Sequence, residues 1–540
     1  MVLTLKYNNN SLRERPVEDS LQQVNIFLLI LFSKVFFMKN QMKVLFVGGE
    51  LTPIAKVGGL ADVIGALPKA LKKLGVDVKI IIPKYGIIDE KKYPLKKIAS
   101  DIKIPFYNQE ELVNVYSCFL PDTQRQVEVY LIENLKYLSE GEIYFTIDAS
   151  SSGALNECQR FVFFTKCVAE IFLNNKIDWQ PDIFHCHDWH TGFLPLLIKI
   201  QSVNLQMKQK TLFTIHNFAY QGKYNPQEIL KMLNLKEQDW PCLRERTKNQ
   251  FKDLNAVQQA ILNADLINTV SPTYAQEILT PEFGEKLENN LQKRKANLSG
   301  ILNGIDVDFF NPATDLTLIK NYGLEMPKEK ILENKKENKE YLQKNCNLKI
   351  DSNVPLIGLI SRVAEQKGFD LIIKIFDKLM ELDLQFVLLG TGDPKMEKTL
   401  AELSLKYPDK FSCNLKFNTK VAQQIYAGSD IFLMPSHFEP CGLGQMIAMR
   451  YGTTPIVRAC GGLKDTVENY SLQTIHYKLG MGFVFEKYEA NEMLNSIKEA
   501  LEIYKDKKAW QEIIFHNMRQ DFSWENSAKK YLELYKKLLK

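Results

Sequence analysis

Short apolar segments alternate with longer amphipathic segments along most of this chain. The apolar segments of the first half are KVLFVGG, VDVKIIIP, VEVYLIE, DIFHCH, TLFTIH and DLINTVS. Each has the length of a buried strand. The segment LADVIGALPKALKKLG between the first two repeats its apolar residues at helical spacing, namely Leu60, Ile64, Leu67, Leu71 and Leu74. Strands that alternate with helices predict a parallel sheet with helices on both faces.

The same alternation restarts after a charged stretch around Glu329, with the apolar segments VPLIGLISR, LQFVLLGTGD, DIFLMPS and TPIVRACGG. The pattern therefore predicts an α/β protein with two doubly wound, Rossmann-like domains. We assign residues 42–300 to the first domain and 301–524 to the second. Residues 525–540 form a C-terminal helix that is a candidate for packing back on the first domain. Two such sheets that face each other bring their strand ends to a central cleft, where ligands bind.

Composition and charge agree with this architecture. The chain has 540 residues, of which 45% are hydrophobic, and its 69 basic and 64 acidic residues leave a net charge of +5. The lysine-rich segment PKEKILENKKENKEYLQKN alternates with glutamate, so we expect a solvated helix face and no nucleic-acid partner. Nine cysteines without a C-x-x-C pair are typical of a reduced, cytoplasmic protein.

The first 41 residues differ from the rest. The apolar run NIFLLILF is followed by Ser33 and Lys34, so it is shorter than the roughly 18 residues that a membrane-spanning helix needs. The next residues, VFFMKNQM, contain no small-residue cleavage site of a secretory signal. We expect no membrane partner, and we interpret residues 1–41 as a dispensable extension from a start codon assigned too far upstream. Organelle targeting is the alternative.

The turn between the first predicted strand and helix carries the first candidate site. Lys56 stands just before Gly58 and Gly59 in the segment IAKVGGLADV. Glycine amides at such a turn can approach an anion, and the positive end of the helix dipole attracts it. A lysine at this position indicates a phosphate ligand. The alternative, in which the glycines only satisfy the turn, stays open on this evidence.

Histidines gather at the predicted strand ends. Five of the seven lie there: His185, His187, His190, His216 and His437. The segment HCHDWH could chelate a metal, but the metallo-hydrolase arrangement is H-x-H-x-D-H, and Asp188 comes one position early. We therefore expect no metal and a neutral, hydrogen-bonding imidazole in a sugar pocket. A metal-dependent hydrolase is the alternative.

The second domain supplies charge at its strand ends. Arg362 and Lys367 follow the segment VPLIGLI, and two fixed cations can hold a diphosphate leaving group without a divalent ion. Glu439 follows DIFLMP and precedes a glycine-rich helix entry, where a carboxylate can face whatever the cations hold. The acidic triplet DVD at residues 306–308 also occurs by chance in loops, so we do not interpret it as a metal site.

Seven motifs occur in a recognisable order: KVGGLADV, HCHDWHTGFLP, TIHNFAYQG, NTVSPTYAQEI, SGILNGID, SRVAEQKG and HFEPCGLGQMIAMRYGT. Together they resemble the bacterial glycogen synthases and plant starch synthases, which are retaining glucosyltransferases of the GT-B fold, from Met42 to the C-terminus. The resemblance implies transfer of glucose from ADP-glucose to the non-reducing end of an α-1,4-glucan such as glycogen or starch, with no cofactor. A catalytically silent glucan-binding protein of this fold is a further alternative.

The resemblance also implies roles for single residues. His187 and Glu439 would lie against the transferred glucose, and Arg362 and Lys367 would bind the diphosphate. The implied substrate-binding residues are Lys56, Gly58, Gly59, Asp62, Asn303, Phe417, Cys441, Gly442 and Leu443. Among these, Phe417 would stack on the nucleotide base and favour ADP-glucose over UDP-glucose. A core position is the alternative for Phe417.

Two segments depart from the family pattern. The family usually reads TGGL where this chain reads CGGL, so Cys460 replaces a hydroxyl that could bond a phosphate. We expect a modest effect, with the amides of Gly461 and Gly462 still available to the phosphate. The family often has a glycine-histidine pair before SGILNGID, whereas this chain reads FGEKLENNLQKRKANL, which leaves the acceptor-side details open.

Overall fold

A computed structural model of the chain describes residues 41–121, 127–144, 153–205, 209–236, 253–416, 418–470 and 480–540. These residues build two α/β units, each with a wholly or mostly parallel sheet flanked by helices, which confirms the predicted fold class. The expectations for Phe417 and for residues 1–40 lie outside the described residues. No helix in the described part of the chain is long and apolar enough to cross a membrane.

The first unit is built on a nine-stranded sheet. The strands of this sheet are β1 (Lys43–Val47), β2 (Asp77–Pro83), β3 (Lys96–Phe106), β4 (Gln109–Phe119), β5 (Glu128–Glu133), β6 (Ile183–His187), β7 (Lys210–Ile215), β10 (Leu266–Thr269) and β11 (Leu298–Gly300). Two further strands, β8 (Lys223–Tyr224) and β9 (Leu254–Asn255), pair with each other in a separate ribbon. Across the sheet the order is β11-β10-β7-β6-β1-β2-β5-β4-β3. All six predicted strands are present as parallel neighbours.

The antiparallel hairpin β3–β4 was not predicted. It extends the parallel sheet at one edge, where β4 pairs with β5 in antiparallel register. Much of β3 is solvent-exposed, and apolar residues become buried only towards its end. A strand of this kind lacks the continuous apolar run by which buried parallel strands are recognised.

Helices cover both faces of this sheet. They are α1 (Gly59–Lys73), α2 (Gly153–Leu173), α3 (Leu194–Leu205), α4 (Pro226–Leu233), α5 (Ala256–Asn263), α6 (Pro272–Glu277) and α7 (Glu288–Lys293), with 3-10 turns at Trp189–Thr191 and Lys295–Asn297. The helix α1 occupies the predicted segment and buries Leu60, Ile64, Leu67 and Leu71. The residue Gly58 precedes it as the cap, so the glycine turn lies at the helix entrance.

The second unit has a six-stranded, fully parallel sheet in the order β14-β13-β12-β15-β16-β17. The strands are β12 (Leu356–Ile360), β13 (Gln385–Leu389), β14 (Phe411–Asn414), β15 (Ile431–Met434), β16 (Thr454–Arg458) and β17 (Phe483–Phe485). Four of these were predicted, and the short edge strands β14 and β17 were not. The helices are α8 (Lys328–Asn345), α9 (Phe369–Lys374), α10 (Phe376–Met380), α11 (Pro394–Lys406), α12 (Thr419–Gly428), α13 (Gly444–Arg450), α14 (Gly461–Thr466), α15 (Ala490–Lys505) and α16 (Lys507–Met518), with a 3-10 turn at Glu365–Lys367.

The lysine-rich helix α8 has the expected solvated face, but its other face is buried, which the sequence did not predict. This face buries Ile331, Asn334, Lys335, Asn338, Lys339, Leu342 and Gln343. Its polar groups are paired: Asn338 Nδ2 donates to Lys320 O at 2.7 Å, and Gln343 Nε2 donates to Gln385 Oε1 at 2.7 Å. Buried polar groups are tolerated when their hydrogen bonds are made inside the protein.

The last helix, α17 (Trp524–Leu539), packs back on the first unit, against α1. Its residues Trp524, Ala528, Tyr531 and Tyr535 join the apolar core beside β1 and α1. An ion pair of 2.6 Å between Lys73 Nζ and Glu525 Oε1 lies at the edge of this contact. The chain therefore crosses between the two units a second time.

Candidate active site

The two units meet at the ends of their strands. Ser271 Oγ, just after β10, donates to Pro440 O at 2.6 Å, beside Glu439. The backbone N–H and hydroxyl of Thr273 donate to the Asp465 carboxylate at 2.8 and 2.7 Å. These contacts hold the segment that follows β15 against the first unit. Because ligands bind outside the carboxyl ends of parallel strands, we interpret the space between the segments that follow β1, β6, β7, β12 and β15 as the active-site cleft.

The glycine turn at the start of α1 already holds a carboxylate of the protein. Glu50 Oε2 accepts from the backbone N–H groups of Val57 and Gly58 at 2.8 and 2.6 Å. Its other oxygen, Oε1, accepts from Tyr144 OH at 2.5 Å. The space beside Gly59 is open, with no atom within 4 Å of the position that a Cβ would take. Two amides of the turn therefore bind a carboxylate of the protein itself, and the phosphate ligand predicted for this turn stays a prediction.

Lys56 stands at the mouth of the same turn. Its Nζ pairs with Asp62 Oδ1 at 2.6 Å, and Thr52 Oγ1 donates to the same oxygen at 3.0 Å. The Lys56 side chain is 48% exposed, so the pair is screened and weak. The ammonium group can therefore turn from Asp62 to a ligand at little cost, and Asp62 serves as its resting partner.

The histidines of HCHDWH differ in their hydrogen-bond partners. His185 is fully buried, and its ring nitrogens bond Tyr535 OH at 2.8 Å and Thr214 Oγ1 at 2.7 Å. His187 is also 0% exposed. Its Nδ1 lies 2.9 Å from Nε2 of His216, which is only half-buried. His216 is therefore the more exposed member of the pair, and His187 keeps its buried Nε2 without a hydrogen-bond partner among the described residues.

Burial keeps both of these imidazoles neutral. It lowers the pKa of His187 well below its ordinary value, with further lowering from His185 and His216. It lowers the pKa of His216 to about 3. Neutral rings bond hydroxyl groups through one N–H and one free nitrogen. This state fits the sugar-pocket interpretation of these residues.

Asp188 shapes the turn after β6. Its Oδ1 accepts from the His216 backbone N–H at 2.7 Å, and its own backbone lies at a positive φ of 54°. Burial raises the pKa of Asp188 to about 7. Within the described residues, no group of three or more His, Cys, Asp or Glu side chains is placed to hold a metal ion. The geometry of HCHDWH therefore gives no support to the hydrolase alternative.

Lys367 and Glu439 form a close ion pair at the second unit's strand ends. Lys367 Nζ lies 2.6 Å from Glu439 Oε2, and Ser436 Oγ donates to the same oxygen at 3.1 Å. Between the two segments, Gly368 adopts a φ of 79°, and a Cβ there would lie 2.2 Å from Pro435 O. The glycine thus permits the close approach that places Lys367 against Glu439.

Arg362 lies nearby but differs in its surroundings. It is exposed, and its Nη2 has a weak contact of 3.4 Å with Gln366 Oε1. The backbone carbonyl of Gln366 in turn accepts from the backbone N–H of His437 at 2.8 Å. The structure therefore brings Arg362, Lys367 and Glu439 to one edge, with Arg362 turned to solvent.

The remaining predicted residues of the second unit line the turn into α13. Burial raises the pKa of the Cys441 thiol to about 12, although the backbone N–H of Asn303 lies against its sulfur. The side-chain Oδ1 of Asn303 is buried without a hydrogen-bond partner among the described residues. Gly442 adopts a φ of 70°, and Leu443 caps α13. Cys441 is therefore a packing residue rather than a nucleophile, and Asn303 has an acceptor to offer.

The amides of Gly461 and Gly462 are not available to a phosphate, so that expectation is wrong. Gly461 N–H donates to Glu277 Oε1 at 2.9 Å, and Gly462 N–H donates to Glu439 O at 3.1 Å. The sulfur of Cys460 is buried and lies 3.5 Å from Ser436 O. Glu277 belongs to the motif NTVSPTYAQEI, which was the sequence signal that could have indicated it.

Comparisons with known proteins cover nearly the whole chain. The family model "Starch synthase catalytic domain" matches residues 43–293, and "Glycosyl transferases group 1" matches residues 343–515. A glycogen synthase of Alkaliphilus metalliredigens is 44% identical over 502 residues, which cover 92% of this chain and 100% of the relative. A glycogen synthase of Thermotoga maritima is 42% identical, and the match covers 92% of this chain and 99% of the relative.

Solved structures give the same picture. The catalytic domain of starch synthase IV from Arabidopsis thaliana, bound to ADP and acarbose, is similar at a TM-score of 0.81 and 33% identity, over 93% of this chain and 100% of that one. A sucrose-phosphate synthase from Thermosynechococcus elongatus is similar at a TM-score of 0.55 and 17% identity, over 92% of this chain and 99% of that one. The latter likeness concerns the fold alone.

Proposed function

This chain belongs to the glycogen synthase and starch synthase family of glycosyltransferases, and from that premise we propose that it transfers glucose from ADP-glucose to the non-reducing end of an α-1,4-glucan, with retention at the anomeric carbon. It is a hexosyltransferase with a nucleotide-sugar donor and a glucan acceptor. Beyond this family activity, we propose the donor base, the acceptor linkage and the catalytic residues.

The observation that carries the proposal is the Lys367–Glu439 pair of 2.6 Å beside the exposed Arg362. A carboxylate and two cations at one edge of the cleft suit a reaction that separates a glucosyl cation from a diphosphate. In this role Arg362 and Lys367 stabilise the departing diphosphate, and Glu439 lies against the developing positive charge of the sugar. Lys56 approaches the diphosphate from the first domain.

The neutral histidine pair supports the sugar side of the site. We propose that His187 bonds hydroxyls of the transferred glucose, because its Nε2 is buried without a hydrogen-bond partner among the described residues, and that His216, which lies 2.9 Å from its Nδ1, holds the ring in place. Closure of the two domains around the donor would exclude water, which would otherwise hydrolyse the activated sugar. Asn303, with its unpartnered Oδ1, is proposed to bond a ligand in the same cleft.

The proposal that ADP-glucose is preferred rests on two supports. The similar plant starch synthase structure contains ADP. The sequence places Phe417 where the family tends to put an aromatic residue against the base, and stacking on a purine is worth roughly 1–3 kcal/mol. Gly58, Gly59, Cys441, Gly442 and Leu443 are proposed to shape the walls of the donor site through their backbone.

The test is an assay of the full chain with labelled ADP-glucose and UDP-glucose on a glycogen primer, with and without EDTA. We expect transfer from ADP-glucose with the higher kcat/KM, survival of the activity in EDTA, and labelled residues that an α-1,4-specific glucosidase releases. Glu439→Gln should suppress kcat while ADP still binds, because the charge matters most in the transition state. The exposed Glu486→Gln is the matched control. A preference for UDP-glucose would contradict the donor assignment.

A further inference from the structure

A second cavity lies on the side of the C-terminal sheet opposite the active-site cleft. It has a volume of about 210 Å³ and is bordered by α8, by the first turns of α16 and by Asp430. Asp430 immediately precedes β15, whereas Glu439 follows that strand. Because a parallel strand presents its two ends at opposite edges of the sheet, this cavity is separate from the donor site.

The cavity carries an excess of positive charge. Four lysines line it, namely Lys335, Lys336, Lys339 and Lys507, and Asp430 is the only acidic side chain among the described residues of the lining. The carboxylate of Asp430 is already paired within the protein, since its Oδ2 lies 2.6 Å from Lys339 Nζ and accepts from the Leu356 backbone N–H at 2.9 Å. The site therefore retains cationic groups that no carboxylate of the lining neutralises.

The lysines divide into a buried floor and an exposed mouth. The ammonium of Lys335 is buried among four protein oxygens at 2.9 to 3.2 Å, and Lys339 is buried against Asp430. At the mouth, Lys336 is exposed and its paired carboxylate, Glu340, is 3.8 Å away. Lys507 is also exposed, and its Nζ lies 3.5 Å from the centre of the Tyr504 ring. The two mouth lysines can therefore turn to a ligand without breaking a buried contact.

A buried donor provides an independent sign of a ligand. Trp510 lines the cavity and is 3% exposed, yet its indole Nε1 has no acceptor among the described residues. Packing against Tyr504, with the ring centroids 5.2 Å apart, fixes the indole. A buried N–H without an acceptor destabilises the folded state. An oxygen of a bound molecule would remove this cost.

We propose that this cavity binds a phosphate group, either free inorganic phosphate or the phosphate of a small monoester, between Lys336, Lys507 and the indole N–H of Trp510. Phosphate offers several acceptor oxygens and up to two negative charges to these donors. The volume accommodates such a group with a short organic substituent. The helix α16 begins at Lys507, and its N-terminal amides are already capped by the Asp506 carboxylate, which accepts from the backbone N–H groups of Lys508 and Ala509, so the attraction rests on the two lysines and the indole.

The test is calorimetric titration of the full chain with inorganic phosphate at constant ionic strength. Saturating ADP is included so that the diphosphate site of the cleft is occupied. The variant Lys336→Ala/Lys507→Ala removes the two mouth charges and leaves the core intact. We expect phosphate binding to weaken about a hundredfold, because each charge-assisted hydrogen bond is worth about tenfold. The matched control, Lys344→Ala/Lys508→Ala, removes the same charge from exposed positions of α8 and α16 outside the cavity, and should bind as the wild type does.

Three further measurements test the phosphate site. Trp510→Phe should weaken phosphate binding about tenfold, since one hydrogen bond to a charged group is lost. Glycerol phosphate in parallel with inorganic phosphate identifies which source binds more tightly. Glucan synthesis should be unchanged in the mouth variant, which separates this result from any failure of the proposed enzymatic function. Absence of phosphate binding in the wild type, equal losses in the two double variants, or unchanged affinity in Trp510→Phe would each overturn the proposal.

Discussion

Arg362 and Lys367 carry the same charge and follow the same strand, but they differ in exposure and in their contacts within the protein. Arg362 is exposed and makes only a weak contact within the protein. Lys367 is 19% exposed and neutralises Glu439, which is 9% exposed at its side chain. Arg362 thus contributes little to the folded state, whereas Lys367 also stabilises it, and we propose that both cations bind the diphosphate.

This difference predicts distinct effects of two alanine variants. Arg362→Ala should lower kcat about a hundredfold or more, as expected for loss of one preorganised charge-stabilising group, with an unchanged melting temperature. Lys367→Ala should lower kcat and also destabilise the fold, because Glu439 is left buried without its partner and such losses reach about 3–5 kcal/mol. Activity with ADP-glucose and thermal unfolding are measured on both.

The exposed Lys374→Ala, in the following helix α9, controls for the general loss of a positive charge. It should match the wild type in both measurements. An Arg362→Ala variant that unfolds early would show that this residue is structural. Equal melting temperatures for Lys367→Ala and the wild type would show that the ion pair contributes nothing to stability.

At the scale of elements, two short helices connect the domains. Thr273, in the first turn of α6, bonds Asp465 on α14 through both its backbone N–H and its hydroxyl. The Asp465 carboxylate also stands at the positive end of the α6 dipole. Ser271, which precedes α6, bonds Pro440 beside Glu439. This contact between helices therefore positions a loop that we assign to catalysis.

We predict that Asp465→Ala lowers kcat about tenfold, since a hydrogen bond to a charged group is worth about 1.5–3 kcal/mol. The effect should be non-additive with Thr273→Ala, because both variants remove the same hydroxyl–carboxylate bond. A double-mutant cycle on kcat measures this coupling. Lys464→Ala, exposed on the same helix, is the control. Fully additive effects would show that the contact does not act on the Glu439 loop.

At the scale of the whole molecule, the C-terminal helix α17 belongs structurally to the first domain. Tyr531 and Tyr535 are fully buried there. Asn268 Nδ2 donates to Tyr531 OH at 2.9 Å, and Tyr535 OH lies 2.8 Å from His185 Nδ1. His185 in turn stacks beside His187, with ring centroids 4.1 Å apart. The end of the chain thus supports the histidines at the cleft.

Tyr535→Phe tests this support. The variant keeps the ring but leaves His185 Nδ1 buried without a partner, which should lower the free energy of unfolding by about 1–3 kcal/mol. Urea unfolding of the full chain measures the loss. Leu539→Ala, at an exposed position of the same helix, should have little effect. Unchanged stability in Tyr535→Phe would mean that the hydrogen bond to His185 adds nothing to the fold.

The sequence by itself determined the α/β class, ten of the strands, the helix α1 and the family. Buried parallel strands are continuous apolar runs, and α1 repeats its apolar residues at helical spacing, so both are visible in local sequence. Seven motifs in a fixed order carried the family resemblance for the same reason, since each is a short local pattern.

The tertiary structure alone decided which polar groups are paired. Glu50 occupies the amides of the glycine turn, Glu277 takes the Gly461 amide from 184 positions away, and helix α8 buries charged residues that read as solvated. The hydrogen bond between His187 and His216 was likewise not visible in the sequence. Hydrogen bonds and ion pairs join residues that are distant in the chain, so the local periodicity of the sequence does not show which residues are paired. Only the folded arrangement assigns each charge its partner.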